Sequence, residues 1–371
     1  MTENSKVSEI EEDREDLLEL ALSVLESGDF QQRWEIVKLF SRLGDLAIPP
    51  LVEILQDEDA EEEVRWYAAR ILGELKNSDG IAPLVELLKS GESEDLKTIA
   101  ATALGQMGAT APLIELLAED ETRLVAVQAL SYIRQQEIIT PLLGVVQDSQ
   151  VAVRVVALEA LSSFHDPRIP PVLLNALDDV AAAVRREAVL GLGFRQDLCS
   201  ELDLVAKLQP RLYDFNLDVC CAAAIALSRM GGDTAAQHLF QVLISPHTPI
   251  RLQLEAIRAL SWVETLSGIE YLQQAFYTLQ LTSLWQEIVT VLGRVSDLTL
   301  KDKATTVLLE ILQQNHPALE ISSIKSAIAL SLGQLGKMQA INALNDLLAD
   351  EDVQVRLHAT AALKNLSLEK K

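Results

Sequence analysis

Three cysteines and five histidines are the residues of this sequence whose side chains most often bind metals or act as nucleophiles. They are Cys199, Cys220 and Cys221, together with His165, His238, His247, His316 and His358. Cys220 and Cys221 are adjacent, so on a helix their side chains would point about 100° apart, which does not suit a shared ligand. Cysteine is also a common small buried residue. We expect the cysteines to fill the core, with metal or cluster ligation as the alternative.

No catalytic motif accompanies these residues. The sequence has no Cys-x-x-Cys pair, no nucleophile elbow, no glycine-rich phosphate loop and no paired histidine–carboxylate motif. The histidines are far apart and share no position in the repeat described below. The sequence therefore predicts no catalytic residue, no metal site and no resident cofactor.

Two tryptophans are the strongest indication of a binding surface. Trp34 and Trp66 lie 32 residues apart, and each directly follows an arginine. The same candidate surface includes Tyr67, Arg70 and Leu124. Aromatic side chains beside an arginine are typical of protein-binding hot spots. The alternative is that both tryptophans are buried between layers of helices.

The tryptophans belong to a pattern that repeats along most of the chain. Its clearest copy, residues 64–72, reads Val, a basic anchor residue, two variable residues, Ala, three residues and Leu. Eleven anchors can be assigned, at Arg33, Arg65, Lys97, Arg123, Arg154, Arg185, Cys220, Gln253, Trp285, Lys325 and Arg356. Seven of the ten steps between them measure 31 to 33 residues. A spacing this constant indicates a repeated supersecondary unit.

Each repeat has the sequence pattern of two helices. Apolar residues at −1, +3 and +7 from the anchor form one stripe on a helix with 3.6 residues per turn. A second helix often begins with Ile-x-Pro-Leu, as at residues 48–51 and 81–84, because proline suits the first helical turn. The sequence therefore predicts an all-α fold, a single right-handed α-solenoid of about eleven helix pairs.

The repeat divides the chain into four segments. Residues 1–13 are acidic and are expected to be disordered, and residues 14–30 are expected to form an N-terminal capping helix. Residues 31–366 are predicted to form one continuous solenoid, followed by a charged tail at residues 367–371. The first helix is assigned a capping role because terminal repeats must shield the core of a stack.

Aspartates precede four of the anchors by six positions. These pairs are Asp59 with Arg65, Asp148 with Arg154, Asp179 with Arg185, and Asp350 with Arg356. An aspartate at this point can cap the helix that follows, or it can pair with an arginine of its own or the next repeat. We expect these eight residues to form a structural ladder inside the stack.

The net charge excludes several classes of ligand. The chain has 55 acidic and 31 basic residues, for a formal net charge of −24. Nucleic acid or an anionic membrane would be repelled unless the basic residues were segregated, and they are scattered. No apolar stretch approaches the length of a membrane span. Three cysteines without a disulfide framework are typical of a reducing compartment, so we expect a cytoplasmic protein with a protein partner.

The Val-Arg-x-x-Ala-x-x-x-Leu-Gly and Ile-x-Pro-Leu elements resemble the short HEAT-like repeat named after the E/F-type phycobilisome lyases. The resemblance extends from about residue 30 to residue 366. Proteins with this repeat include phycobilin lyases, phycobilisome-degradation factors, deoxyhypusine hydroxylases and a cyanobacterial HEAT protein that binds an A-type iron–sulfur carrier. The length and acidic N-terminus are most similar to the last. Deoxyhypusine hydroxylases hold two irons with His-Glu pairs, and this sequence contains no such pair.

The resemblance implies three candidate functions. The first is a non-catalytic scaffold or assembly chaperone, expected to be cyanobacterial, which would bind a client protein on its concave face. The second is a phycobilin lyase or lyase subunit, which would bind a phycobilin transiently and attach it to a phycobiliprotein. The third is a scaffold partner of iron–sulfur carrier proteins. We favour the first, because no residue pattern indicates catalysis.

Overall fold

The computed structural model describes the backbone of residues 3–90 and 92–368 and the side chains of residues 14–90 and 92–367. All regular secondary structure in these ranges is helical, which confirms the all-α class expected from the sequence. The chain forms two compact units, Met1–Val172 (unit 1) and Leu173–Lys371 (unit 2). Each unit is a stack of helix pairs, the arrangement of an α-solenoid.

Unit 1 contains ten complete helices within the described residues. They are α1 Glu3–Ser27, α2 Phe30–Leu43, α3 Ile48–Gln56, α4 Glu62–Leu75, α5 Ile81–Lys89, α6 Glu94–Met107, α7 Thr110–Leu116, α8 Arg123–Ser131, α9 Ile139–Val145 and α10 Val151–Leu161. The next helix, α11 Ile169–Ala176, contains the boundary between the units.

Unit 2 continues with eleven further helices in the described part of the chain. They are α12 Ala182–Gly193, α13 Leu204–Leu208, α14 Leu217–Met230, α15 Gly232–Ile244, α16 Ile250–Trp262, α17 Leu266–Thr278, α18 Thr282–Gly293, α19 Leu298–Gln313, α20 Ser322–Leu335, α21 Ile341–Leu347 and α22 Val353–Leu368. The eleven anchors lie on the even-numbered helices α2 to α22, which we call anchor helices. The odd-numbered helices from α3 onward are the second helices.

Successive anchor helices pack side by side within each unit, and most second helices pack against the anchor helix that follows them. The apolar stripe predicted from the repeat is buried between them. In the repeat of Arg65, Val64 is 4% exposed, Ala68 is 0% exposed and Leu72 is 1% exposed. Small and medium aliphatic side chains therefore make most of the core, which agrees with the low aromatic content of the sequence.

Small residues allow neighbouring anchor helices to approach closely. Gly73 lies within α4, where an added Cβ would be 2.7 Å from the Cα of Ala103 on α6. In unit 2, an added Cβ on Gly333 would be 2.7 Å from the Cβ of Ala362. Real Cβ atoms do not approach so closely, so the spacing of these helices depends on glycine. The same repeat position thus sets the distance between adjacent repeats.

Charged anchors form ion pairs with the repeat that follows, and three of these pairs use an equivalent aspartate. Arg123 pairs with Asp148 at 2.9 Å, and Arg185 pairs with Asp214 at 2.7 Å. Lys325 forms the equivalent pair with Asp350. In each case the carboxylate belongs to the loop that precedes the following anchor helix. These ion pairs are therefore made between repeats.

The arginine that lies six residues after each aspartate donates a hydrogen bond to the aspartate's backbone carbonyl. Arg154 Nη1 donates to the carbonyl oxygen of Asp148 at 2.7 Å. Arg185 donates in the same way to Asp179 at 2.9 Å, and Arg356 to Asp350 at 2.7 Å. A carbonyl near the end of a helix has no partner within that helix. The anchor satisfies these carbonyls.

Asp59 does not take part in the ladder. Glu61 and Glu63 instead pair with Arg33, the anchor of the preceding repeat. The Glu61 pair has a distance of 2.8 Å. Arg65 in turn pairs with Glu92 at 2.8 Å. The loop before α4 is rich in acids, and those nearer to α4 reach the buried guanidinium of the preceding repeat.

Three anchors of unit 2 are uncharged but make equivalent hydrogen bonds. The Cys220 thiol donates to the carbonyl of Asp214 at 3.1 Å, and Gln253 Nε2 donates to the carbonyl of Leu243 at 2.9 Å. Trp285 Nε1 donates to the carbonyl of Leu279 at 2.9 Å. Each of these residues thus satisfies a carbonyl in the segment that precedes its helix.

The segments differ in extent from those expected. Helix α1 begins at Glu3, so helix includes residues 3–13, and it ends at Ser27. Residues 1–2 of the expected acidic tail and residues 369–371 of the C-terminal tail lie outside the described residues. The repeat region 31–366 extends across both units. Among the described helices, none combines the length and apolar character needed to cross a bilayer.

Candidate functional site

The tryptophans of the candidate surface lie on α2 and α4 of unit 1. Helix α2 begins at Phe30, because Asp29 caps it by accepting the backbone N–H of Gln32 at 2.9 Å. Trp34 then falls in the second turn and is 45% exposed. Trp66 is half-buried on α4. The structure thus brings equivalent positions of successive repeats side by side.

The Arg70 guanidinium joins the two tryptophans. Its Cζ lies 3.9 Å from the ring centroid of Trp34 and 5.8 Å from that of Trp66. Arg70 Nε also donates to Oε1 of Glu74 at 3.2 Å. A cation–π contact at an exposed site contributes about 0.5–1 kcal/mol. Arg70 is therefore held in place by contacts on both helices.

Phe30 adds a third ring, which the sequence analysis did not identify. It is 65% exposed, and its ring stacks on Trp34 with a centroid distance of 6.1 Å. The signal was present in the sequence, since Phe30 and Trp34 are four residues apart and such residues are neighbours on a helix. We call Phe30, Trp34, Trp66 and Arg70 the aromatic cluster.

Two residues of the predicted surface are not exposed parts of this cluster. Tyr67 is 1% exposed, its ring packs against Trp66 at 5.2 Å, and its hydroxyl donates to the carbonyl of Phe30 at 3.4 Å. Burial raises the pKa of Tyr67. Tyr67 therefore supports the cluster from the core side. Leu124 lies on α8, which α6 separates from α4, so it is not part of the cluster.

Negative charge surrounds the aromatic cluster. Glu35, Glu62, Glu63 and Glu74 are exposed on the same two helices. Residues 1–172 contain 33 acidic and 14 basic residues, a net charge of −19. Residues 173–371 contain 22 acidic and 17 basic residues, a net charge of −5. Most of the acidity of the protein is therefore in unit 1, where the cluster lies.

A groove lies further along the anchor helices of the same unit, with a cavity of about 420 Å³. It is lined by α6, α8 and α10 and by the residues that follow α8. Its polar lining includes Thr98, Thr102, Gln128, Ser131, Arg134 and Glu159. Hydroxyl and amide side chains can bond to the backbone of a bound segment. Unit 1 therefore presents aromatic anchors and a polar groove on one layer of helices.

The cysteines do not come together as a site. Cys220 and Cys221 are buried on α14, whereas Cys199 is half-buried in the segment that follows α12. Burial raises the pKa of Cys220 to about 11 and also raises that of Cys221. Both thiols are thus protonated at neutral pH. The described side chains include no group of three or more His, Cys, Asp or Glu arranged to hold a metal ion.

Several solved structures share the fold. Kap95p from a complex with RanGDP superposes with a TM-score of 0.66 at 13% identity, over 96% of this chain and 56% of that chain. Kap95 from a complex with Nup1 gives 0.66 at 14% identity with the same coverage. This chain thus corresponds to little more than half of Kap95. An engineered protein is 21% identical over 86% of this chain and 98% of its own, with a TM-score of 0.45.

Sequence comparison identifies the repeat itself. No curated protein matches the sequence significantly. The family profile of HEAT repeats matches residues 48–121, 110–193 and 169–261, which together make up more than half of the chain. These segments extend from α3 to α16 and so include anchor helices and second helices of both units. This chain therefore belongs to the HEAT repeat family.

Proposed function

We propose that this protein is a non-catalytic scaffold that binds a partner protein through the anchor helices of unit 1. The observation that carries the proposal is the aromatic cluster. Phe30 and Trp34 are 65% and 45% exposed, yet they are held in place by stacking and by Arg70. Rigid exposed tryptophan and arginine side chains are typical of interface hot spots. The free energy of the system falls when a partner covers an apolar surface of this kind.

Two further observations support protein binding. The HEAT repeat stack offers a continuous layer of parallel helices, and the structurally similar Kap95 was solved in complexes with RanGDP and with Nup1. The net charge of −19 in unit 1 favours a partner with a basic contact face. From the resemblance to the phycobilisome-lyase repeat, we propose a cyanobacterial client. This client would be a phycobiliprotein, a photosynthetic complex subunit or an iron–sulfur carrier.

A phycobilin lyase is the second candidate, and it uses the same residues. The exposed, stacked rings of Phe30 and Trp34 would also accept the flat conjugated system of a linear tetrapyrrole. In that case the bilin would be a transient ligand. Its attachment to a client cysteine would require a group that this cluster does not itself contain.

Capture of purified clients by the tagged protein tests the proposal. Trp34→Ala combined with Trp66→Ala should reduce capture of the true client by at least about tenfold, because hot-spot residues each contribute about 2 kcal/mol or more. Phe215→Ala, which removes a fully exposed ring from unit 2, is the matched control. Helical circular dichroism should be retained by both variants.

Each outcome separates the candidates. Undiminished capture by the double variant with intact helical signal would refute the role of the aromatic cluster. Loss of helical signal would instead show that the tryptophans stabilise the fold. A coloured complex with phycocyanobilin, lost in the double variant, would favour the lyase over the plain scaffold.

A further inference from the structure

Unit 2 has a second exposed surface, at the C-terminal ends of its anchor helices. Phe194, Arg229, Trp262 and Arg294 each lie nine residues after the anchor of four successive repeats. Phe194 and Trp262 are both 59% exposed. Because α12, α14, α16 and α18 pack side by side in this order, aromatic and arginine side chains alternate along one edge. We call these four residues the aromatic–arginine ridge.

Neither arginine of the ridge has a carboxylate partner among the described residues. Arg229 places its Cζ 4.3 Å from the ring centroid of Phe194, and its Nη1 is buried without a hydrogen-bond acceptor. Arg294 is exposed and likewise makes no ion pair within the described part of the chain. By contrast, Arg258 beside them pairs with Glu287 at 2.7 Å. The ridge therefore has two positive charges that no described carboxylate neutralises, one on α14 and one directly after α18.

A cavity of about 290 Å³ connects Trp262 with Arg294. Its lining includes two carboxylates, Asp297 and Glu264. Asp297 is directed at the start of α19, where it accepts the N–H groups of residues 299 and 300 at 2.9 and 3.0 Å. The hydrogen bond that the Thr299 hydroxyl donates to Asp297, together with these backbone hydrogen bonds, holds the pKa of Asp297 below its usual value. Glu264 accepts a hydrogen bond from the Ser296 hydroxyl at 3.4 Å. Arg294 is itself exposed, so it is accessible to an external anion.

Apolar side chains lie beside the ridge. Leu266 begins α17 and is 56% exposed, and Leu298 begins α19 and is 72% exposed. Together with Trp262 they provide apolar contacts at the same end of the anchor helices. A ligand for this edge therefore needs both negative charge and an apolar group.

We propose that the ridge binds an extended acidic segment of a partner protein. Its carboxylates would pair with Arg229 and Arg294, and an apolar side chain between them would cover Trp262. Packed helices are about 8–10 Å apart, so arginines on α14 and α18 are separated by about 16–20 Å. An extended chain advances about 3.3 Å per residue. The two acidic positions should therefore be about five or six residues apart.

This surface is distinct from the one that carries the proposed function. The aromatic cluster lies in the acidic unit 1 and favours a basic partner, whereas the ridge favours an acidic one. The two surfaces would allow one chain to hold two partners of opposite charge. Alternating aromatic and arginine side chains also suit single-stranded nucleic acid, but the net charge of −24 opposes that ligand.

The probe is a fluorescein-labelled peptide with two glutamate pairs about six residues apart and a central phenylalanine, measured by fluorescence anisotropy at low salt. Arg294→Glu should weaken its binding at least about tenfold, since charge-assisted hydrogen bonds contribute about 1.5–3 kcal/mol. Trp262→Ala should weaken it severalfold, whereas Trp262→Phe should retain most of the affinity. Lys207→Glu alters an exposed lysine of unit 2 by the same charge and is the matched control.

Several results would overturn the inference. One is no binding of the peptide by the wild-type protein. Another is that Lys207→Glu weakens binding as much as Arg294→Glu, because the effect would then come from net charge alone. Equal binding of a version with lysine in place of glutamate would also contradict it. Tighter binding of an oligothymidylate would assign the ridge to nucleic acid instead. Trp34→Ala with Trp66→Ala should leave peptide binding unchanged. A negative result for the aromatic cluster therefore does not count against the ridge, and the reverse also holds.

Discussion

The anchors of the two units differ in charge, yet most of them donate a hydrogen bond to a carbonyl that precedes their helix. All five anchors of unit 1 are basic, whereas α14, α16 and α18 of unit 2 carry Cys220, Gln253 and Trp285. The neutral anchors still donate to carbonyls that precede their helices, as Arg65 does to the carbonyl of Leu55 at 3.1 Å. The comparison teaches that the donor is the shared requirement of the repeat. The positive charge is an addition that links one repeat to the next.

Removing a charged anchor should have the largest effect. Arg65→Ala leaves the Leu55 carbonyl and Glu92 without their partner, and Arg65 is only 7% exposed. Loss of one member of a buried pair costs about 3 kcal/mol or more. Urea unfolding followed by circular dichroism should show this loss. Arg65→Gln should recover part of it, because glutamine serves as the donor at residue 253; equal destabilisation by both variants would contradict the shared role.

Glycine at the contact between repeats should have the next effect, and the size of the effect should depend on how closely the facing helix approaches. Gly73→Ala places a Cβ 2.7 Å from the Cα of Ala103, whereas Gly193→Ala meets the Cβ of Ala226 at 3.0 Å. Overpacking costs about 1–3 kcal/mol, so we expect about 2 kcal/mol for Gly73→Ala and less than about 1 kcal/mol for Gly193→Ala. Thermal unfolding of the two variants measures the difference. A larger loss at Gly193 would reverse our view of which contact is tighter.

A neutral anchor should contribute less than a charged one. Gln253→Ala removes a single hydrogen bond to the carbonyl of Leu243. A buried carbonyl left without a donor costs about 1–3 kcal/mol, so the free energy of unfolding should fall by about 1–2 kcal/mol, less than for Arg65→Ala. Urea unfolding under identical conditions gives both values. Equal losses at Gln253 and Arg65 would show that the ion pair adds nothing.

Charge in the ladder should also appear as pH dependence. Arg185 holds the pKa of Asp214 below its usual value by hydrogen bonding to it. A lowered folded-state pKa stabilises the protein above the unfolded-state pKa of about 3.9, and this stabilisation is lost as pH falls towards the folded-state pKa. The stability difference between wild type and Arg185→Gln should therefore shrink below about pH 4. Thermal unfolding across pH measures it, and a constant difference would show that the pair contributes no pH-dependent stability.

Much of the fold could be read from the sequence because one repeat specifies it many times. The apolar stripe fixes which side of each anchor helix is buried. A single stripe residue such as Ala68 therefore predicts which face of its helix points into the core. The division into two units was not predicted, since it lies inside α11, within the repeat pattern. The partners of Arg33 could not be predicted either. Asp59, Glu61 and Glu63 all precede or begin the next anchor helix, and only the path of the loop decides which of them contact Arg33.

The candidate sites depended on finer geometry. The phase of the repeat was enough to bring Trp34, Trp66 and Arg70 to one place. Tyr67 turns inward because the next residue on a helix points about 100° away, and Phe30 lies before the anchor, where no repeat consensus extends. The aromatic–arginine ridge was missed because its four residues share a repeat position that varies in every copy.

Most of the anchors donate their hydrogen bonds to carbonyls that come earlier in the sequence. This order affects how the protein folds during synthesis. Arg154, Gln253 and Trp285 bond to carbonyls six to ten residues before them, so these contacts can close as soon as each anchor helix has been made. The ion pair of Arg123 reaches forward to Asp148 and must await the following repeat. Domains form from the N-terminus during translation. We expect each repeat to be completed locally first and joined to its successor second, so the ribosome would release a growing stack whose last repeat is always the least stable.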